Sequence, residues 1–300
     1  MKKIIIAIAS IAFVFSFASC SQKPAKKEMG IQLYSLRTLI GSDEDFAANK
    51  TEVLKALADM GYTCVEAASY DGEGHIYGEE PEQLKADLDA AGLKMISTHV
   101  NHWLDDENLA SKDFSNRMDW WKTCIAAHKK LGVKYIVMPS MPGDLPTLAD
   151  VKTYCEYYNA IGKLCADQGM KFGFHNHSGE FEKIEGKVFY DYMIENTDPR
   201  YVFFQMDVYW ADNAGVSPVE YFKRYPGRFE CIHVKDWREV GQSGKVGFDA
   251  IFNNAALAGV KDYVVEIEET SPEVGDILES CRISADYLLS APFVKESYSE

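Results

Sequence analysis

KFGFHNHSGEF, Lys171 to Phe181, is an apolar run that stops abruptly at two histidines and a glutamate. Met170, Phe172 and Phe174 are apolar enough for a parallel strand covered on both faces, and Ser178 with Gly179 turns the chain out of it. Polar groups therefore collect at the strand's carboxyl end. His175 and His177 are two residues apart, which on an extended chain puts both imidazoles on one face. Taken alone, the pair reads equally well as loop histidines held by ordinary hydrogen bonds.

Three later apolar runs end in the same way. Tyr201 to Met206 delivers Asp207, followed by Val208, Tyr209 and Trp210. Phe229 to Ile232 delivers His233, with Lys235 and Asp236 beyond, and Tyr263 to Val265 delivers Glu266, then Glu268 and Glu269. His, Asp, His and Glu at corresponding ends of four successive strands make a mixed nitrogen and oxygen donor set suited to one divalent metal ion: Mn, Zn, Co or Fe. Core packing does not account for four such groups in register, because buried charges need partners to offset their desolvation. The first ligand is His175 by strand register, with His177 the near alternative.

Outward from this centre the chain alternates strand and helix patterns without a break. Strands are expected at Gly30–Ser35, Tyr62–Glu66, Leu93–Thr98, Val133–Met138, the Met170 run, Val202–Asp207, Phe229–Val234 and Tyr263–Ile267. Helices are expected at Phe46–Met60, Pro81–Ala91, Phe114–Leu131, Leu148–Gln168, Val188–Asn196, Pro218–Arg224, Phe248–Ala258 and Val274–Leu289. Gly61 and Gly92 fit C-caps, and Pro81 fits a first turn. Eight strand-helix units across residues 29–291 match a single α/β domain, the (β/α)8 or TIM barrel, whose active site lies at the carboxyl ends of its strands. A doubly wound sheet is the alternative, but no G-x-G-x-x-G follows the first strand and no P-loop occurs. Pro292 to Glu300 reads as a polar tail.

Residues 1–20 read as an export signal: Lys2 and Lys3, an apolar run from Ile4 to Phe17, then small residues to Cys20. Phe17-Ala18-Ser19-Cys20 resembles a bacterial lipoprotein box, which implies cleavage before Cys20 and its lipidation. Ser21 to Glu28 is a polar, lysine-rich tether. The expected location is therefore exported and lipid-anchored, facing the periplasm, with the membrane touched only through Cys20. The formal charge of −15, or −17 once Lys2 and Lys3 are removed, argues against nucleic acid and anionic membrane surfaces as partners. Six further cysteines, at 64, 124, 155, 165, 231 and 281, lie in apolar patterns without any C-x-x-C pair and are expected as buried free thiols. Whether the barrel forms an oligomer is left open by the sequence.

GIQLYSLR (30–37), GYTCVEAA (61–68), FHNHSGEF (174–181), MDVYWA (206–211), IHVKDW (232–237) and YVVEIEE (263–269) together resemble the sugar isomerase and epimerase family with xylose-isomerase-like barrels, the group that also contains inosose dehydratase and endonuclease IV. In its ketose epimerases the metal is held by Glu, Asp, His and Glu on the fifth to eighth strands, and both glutamates act as acid and base. The resemblance thus implies Asp207, His233 and Glu266 as ligands, with His175 standing where an epimerase has its first glutamate. That substitution removes one of the two carboxylates needed to work on both faces of a carbon.

A divalent ion held by a carbonyl and a neighbouring hydroxyl acidifies the carbon between them. Glu266 is the first candidate for the base that takes this proton, with His177 and Lys235 as further catalytic candidates. Lys235 reads equally as a partner of Glu268 or Asp236. Glu66 and His99, at the ends of the second and third strands, together with Glu180, Trp210 and Trp237, are candidates for binding a sugar, although each aromatic reads equally as core. The leading expectation is an exported metal-dependent enzyme that enolises an unphosphorylated keto-sugar and leans to elimination from a 3-keto-glycoside. A sugar isomerase or epimerase is the alternative within the class, and a noncatalytic sugar-binding lipoprotein is the alternative outside it.

Overall fold

A computed structural model describes residues 27–142 and 147–299. The export signal, Cys20 and the tether up to residue 26 lie outside the described residues.

Eight parallel strands close into one barrel in chain order, as the alternation predicts. They are β1 (Gly30–Gln32), β2 (Cys64–Ala67), β3 (Lys94–His99), β4 (Tyr135–Met138), β5 (Lys171–His175), β6 (Val202–Asp207), β7 (Cys231–Lys235) and β8 (Asp262–Glu266). Gly30 and Ile31 pair with Val264 and Val265, which seals β1 to β8. Because side chains alternate along each strand, every second residue enters the lumen. Cys64, Ile96, Tyr135, Val137, Phe203, Cys231 and Val264 form an apolar plug there, separate from the larger core between strands and helices. Gly173 of β5 makes room for that plug, since a Cβ on it would lie 2.5 Å from the Phe203 ring. Two residues further along several strands the inward groups become polar: Glu66, Gln205 and His233 follow Cys64, Phe203 and Cys231.

Three of the expected strand and helix bounds change. β1 stops at Gln32, whose side-chain oxygen accepts from the Tyr34 N–H at 3.0 Å and starts a 3-10 turn over Leu33–Leu36. A short helix, Val208–Asn213, follows β6 directly, with Asp207 capping it by accepting from the Trp210 N–H at 2.8 Å. The helix expected at Phe248–Ala258 breaks at Asn254 into Phe248–Asn253 and Ala255–Ala258.

Both ends of the described chain are docked. The Lys27 ammonium donates to the carbonyls of Leu288 and Ala291 at 2.9 and 2.6 Å, at the end of helix Ile277–Ser290. Val294 and Tyr298, in the segment expected as a polar tail, are buried, and Tyr298 packs on Phe252 and Tyr263. Apolar side chains spaced within that segment are enough to hold it to the barrel. The six expected free thiols are unpaired and buried.

Candidate metal centre and active site

Parallel pairing sets Asp207 beside His233 and Gln32 beside Glu66. One ligand atom from each of His175, Asp207, His233 and Glu266 lies within 4.8 Å of the others, so the four expected side chains converge at the carboxyl end of the barrel. All four are buried. His233 Nδ1 is 3.2 Å from Glu266 Oε2 and 3.9 Å from Asp207 Oδ2. His175 Nδ1 and Asp207 Oδ2 are buried atoms without a hydrogen-bond partner. Two orphaned buried atoms that can each offer a lone pair, in a cluster of two imidazoles and two carboxylates, are what a divalent cation satisfies, and the residues fit one. His99 forms a second group of three with His175 and His233.

The charges agree with that fit. Burial raises the Asp207 carboxyl to about 7, helped by the neighbouring charge of Glu266. Burial also holds His175 well below the ordinary histidine value, reinforced by the charges of His233, His99 and His177. Burial opposes a charge on His233 too, but the facing carboxylates of Glu66 and Glu266 overcome it and raise its pKa. A proton on His233 Nδ1 and a metal ion compete for the same lone pair.

Glu66, expected to meet substrate, lies against the cluster with no exposure. Its carboxylate accepts from Gln32 Nε2 at 2.6 Å, Gln205 Nε2 at 2.7 Å and His233 Nε2 at 2.6 Å, with His99 Nε2 at 3.1 Å. Burial opposes its ionisation, yet the charges and bonds of His99 and His233 hold it well below the usual carboxylate range.

A cavity of about 610 Å3 opens above these groups, lined in part by His99, His175, His177, Trp210, Glu266 and Glu268. His177 and Trp210 therefore meet the expected cavity, and His99 reaches it while its Nε2 is bonded to Gln205. The loop after β5 is pinned from below. Asn176 exchanges two hydrogen bonds with the backbone of Asp207, and the Glu180 carboxylate accepts from the His177 N–H at 2.8 Å. Glu180 thus braces the loop and does not line the cavity, and burial pushes its carboxyl upward.

Lys235 takes its alternative reading, beside Glu268 and Asp236, and Trp237 lies away from the cavity. The Lys235 ammonium is buried 3.6 Å from the Glu268 carboxylate, donates to the Asp236 carbonyl and lies over the rings of Tyr209 and Trp210 at 4.3 and 5.1 Å. It offsets the charge of the acidic cluster from behind the wall. Trp237 is half exposed outside the cavity.

Sequence reasoning gave no role to Tyr34, Arg37, Tyr70 and Ser140, which line the cavity. The turn that carries Tyr34 and Arg37 over the mouth is signalled only by Gln32, whose cap replaces the last residues of the expected strand.

The family model described as xylose isomerase-like TIM barrel matches residues 54–287, and the chain belongs to that family. Inosose dehydratase of Geobacillus kaustophilus is 23% identical over 202 residues, which covers 62% of this chain and 62% of that protein, less than two thirds of its length. A sugar phosphate isomerase/epimerase from Parabacteroides distasonis, solved as a crystal structure, is 33% identical with a TM-score of 0.81 over 92% of this chain and 98% of that one. The IOLI protein, solved with a binding zinc atom, shares the fold at a TM-score of 0.63 and 14% identity over 91% of this chain and 100% of that one. The chain is thus a xylose isomerase-like TIM barrel whose relatives include proteins named as sugar-processing enzymes.

Proposed function

We propose that this protein is a metal-dependent lyase acting on an unphosphorylated 3-keto-glycoside. The observation that carries this reading is the asymmetry of the cavity. Among the described residues its lining carboxylates, Glu266 and Glu268, come from the same strand end, whereas the wall formed by the end of β5 and the loop after it presents His175 and His177. Proton abstraction is therefore served from one side, which suits elimination better than inversion of a carbon. The name inosose dehydratase, borne by a relative, denotes an elimination as well.

His175, Asp207, His233 and Glu266 would hold the ion, since one ligand atom of each lies within 4.8 Å of the others. A divalent ion bound there supplies Lewis acidity, lowering the cost of negative charge on the sugar's ketone oxygen. Glu266 takes the proton from the second carbon, leaving the electron pair delocalised onto that oxygen. The pair then forms the double bond between the first and second carbons as the bond to the glycosidic oxygen breaks. His177 gives a proton to the departing oxygen, and Trp210 walls the sugar.

Among the described residues Arg37 is the one Lys or Arg lining this cavity, and its two terminal nitrogens donate to the carbonyls of Tyr34 and Glu268. A single cation is little charge with which to hold a phosphate, which agrees with the export signal and lipid anchor proposed for residues 1–20. The test is to incubate a 3-keto-glucoside with metal-loaded protein. Release of the aglycone with an unsaturated keto-sugar is expected, and a free aldose should show little isomerisation. Rapid aldose-to-ketose conversion, or epimerisation without aglycone release, would overturn the reading in favour of an isomerase or epimerase.

A further inference from the structure

The cavity above the four converging side chains is bounded at Arg37. A second depression of about 390 Å3 lies on the far side of that residue, between the segment after β1 and the segment after β8. The two depressions share Arg37 and Glu268 as a common wall. The outer one is lined further by Thr38, Thr270 and Asp276, with Leu39 and Ile277 as its apolar part. Ligand cavities typically run from about 300 to 1,000 Å3, so each depression is of a size to receive part of a ligand.

The shared wall is fixed in place. Arg37 donates to the Glu268 carbonyl at 2.6 Å and to the Tyr34 carbonyl at 3.2 Å, and its guanidinium lies 4.6 Å from the centroid of the Tyr34 ring. That ring is 46% exposed, backed by a cation and lining the inner cavity. A guanidinium has five N–H donors, and these two bonds leave three for a ligand. The Glu268 carboxylate is held by Lys235 at 3.6 Å. Carboxylates, hydroxyls and guanidinium N–H groups around a small aliphatic patch suit a ring that carries hydroxyls on its edges and C–H bonds on its faces. They suit a flat aryl group less well, because that would leave most of these polar groups desolvated and unpaired.

We propose that the outer depression is a binding subsite for the leaving group, and that this group is a second sugar ring. The inference rests on the lyase reading for the words "leaving group"; that a second ring binds there stands on the geometry alone. Glu266 marks the reacting end, and Glu268, two residues further along the same chain, marks the start of the outer subsite.

The test fills the outer depression with Thr270→Trp, and separately with Thr38→Trp, since neither residue lines the inner cavity. Two 3-keto-glucosides are compared on metal-loaded protein, one with glucose and one with methanol as the leaving group. At least a tenfold rise in KM is expected for the first substrate in both variants, with the second unchanged. Equal effects on both substrates would overturn the subsite. Binding of unoxidised maltose and glucose is measured in parallel by calorimetry, so the outcome does not depend on turnover. The subsite requires maltose to bind wild type about tenfold tighter than glucose and to lose that advantage in the variants. If neither keto-glucoside reacts but the maltose advantage holds, the lyase reading fails and the subsite stands. Equal wild-type binding of the two sugars overturns the subsite.

Discussion

Glu66 Oε1 lies 2.6 Å from His233 Nε2, with both side chains fully buried. The opposite nitrogen, Nδ1, faces Asp207 and Glu266. A carboxylate on Nε2 keeps a proton there and leaves the Nδ1 lone pair for a metal, the arrangement by which a supporting acid orients a histidine ligand and raises its basicity. Glu66 also collects the amides of Gln32 and Gln205, so one anion ties together β1, β2, β6 and β7.

Glu66→Gln should therefore weaken binding of Mn or Zn by about 10- to 100-fold, although Glu66 touches no metal itself. Titration calorimetry measures the change, with thermal unfolding as a control for the fold. Unchanged affinity in a folded variant would show that His233 is oriented by the backbone alone.

Glu266→Gln should lose roughly 10²- to 10⁴-fold in kcat at saturating metal, because the amide keeps a ligand oxygen but cannot accept the substrate proton. Kinetics over a metal concentration series separate the two roles. Full turnover of the metal-loaded variant would move the base to His177.

Acid should destabilise the fold through His128, which is fully buried in helix Ser115–Leu131. Its Nδ1–H donates to the Cys124 carbonyl at 2.7 Å, its Nε2 has no partner, and burial lowers its pKa to about 4. The unfolded chain takes up this proton first, so the contribution is fully present above about pH 6.5 and is lost as pH falls towards 4, a change on the order of 3 kcal/mol. Urea unfolding at pH 7 and pH 4.5 should show a smaller acid loss for His128→Gln than for wild type. An equal loss would place the acid sensitivity elsewhere. His102, stacked on Trp120 and likewise lowered to about 4 by burial, acts in the same direction.

Gly162→Ala should destabilise by about 1 to 3 kcal/mol despite the better helix propensity of alanine. Gly162 lies inside helix Leu148–Asp167, and a Cβ there would sit 2.3 Å from the Tyr201 carbonyl oxygen. Chemical denaturation reads the sign. A more stable variant would mean that propensity outweighs the packing.

The eight-unit barrel and the convergence of His175, Asp207, His233 and Glu266 were legible in the sequence, because both follow from local periodicity. An apolar run followed by a metal-binding residue states where a strand ends, and in this fold the strand ends gather at one face. Enclosure within the barrel was not legible. Glu66 ends its strand in the register of Glu266, yet it is fully enclosed, its carboxylate taken up by Gln32, Gln205 and His233 and not lining the cavity. Lys235 follows the inward alternation, but only the contacts with Tyr209, Trp210 and Glu268 turn its ammonium away from the cavity. Tyr34 and Arg37 came to the mouth through a side-chain cap that ended β1 early. The sequence by itself determined the order of elements and the donor set, since these depend on neighbours along the chain. Barrel closure decided which polar group supports the four converging side chains, which lines the cavity and which neutralises charge behind it, since register and stagger between strands arise only when distant segments pair.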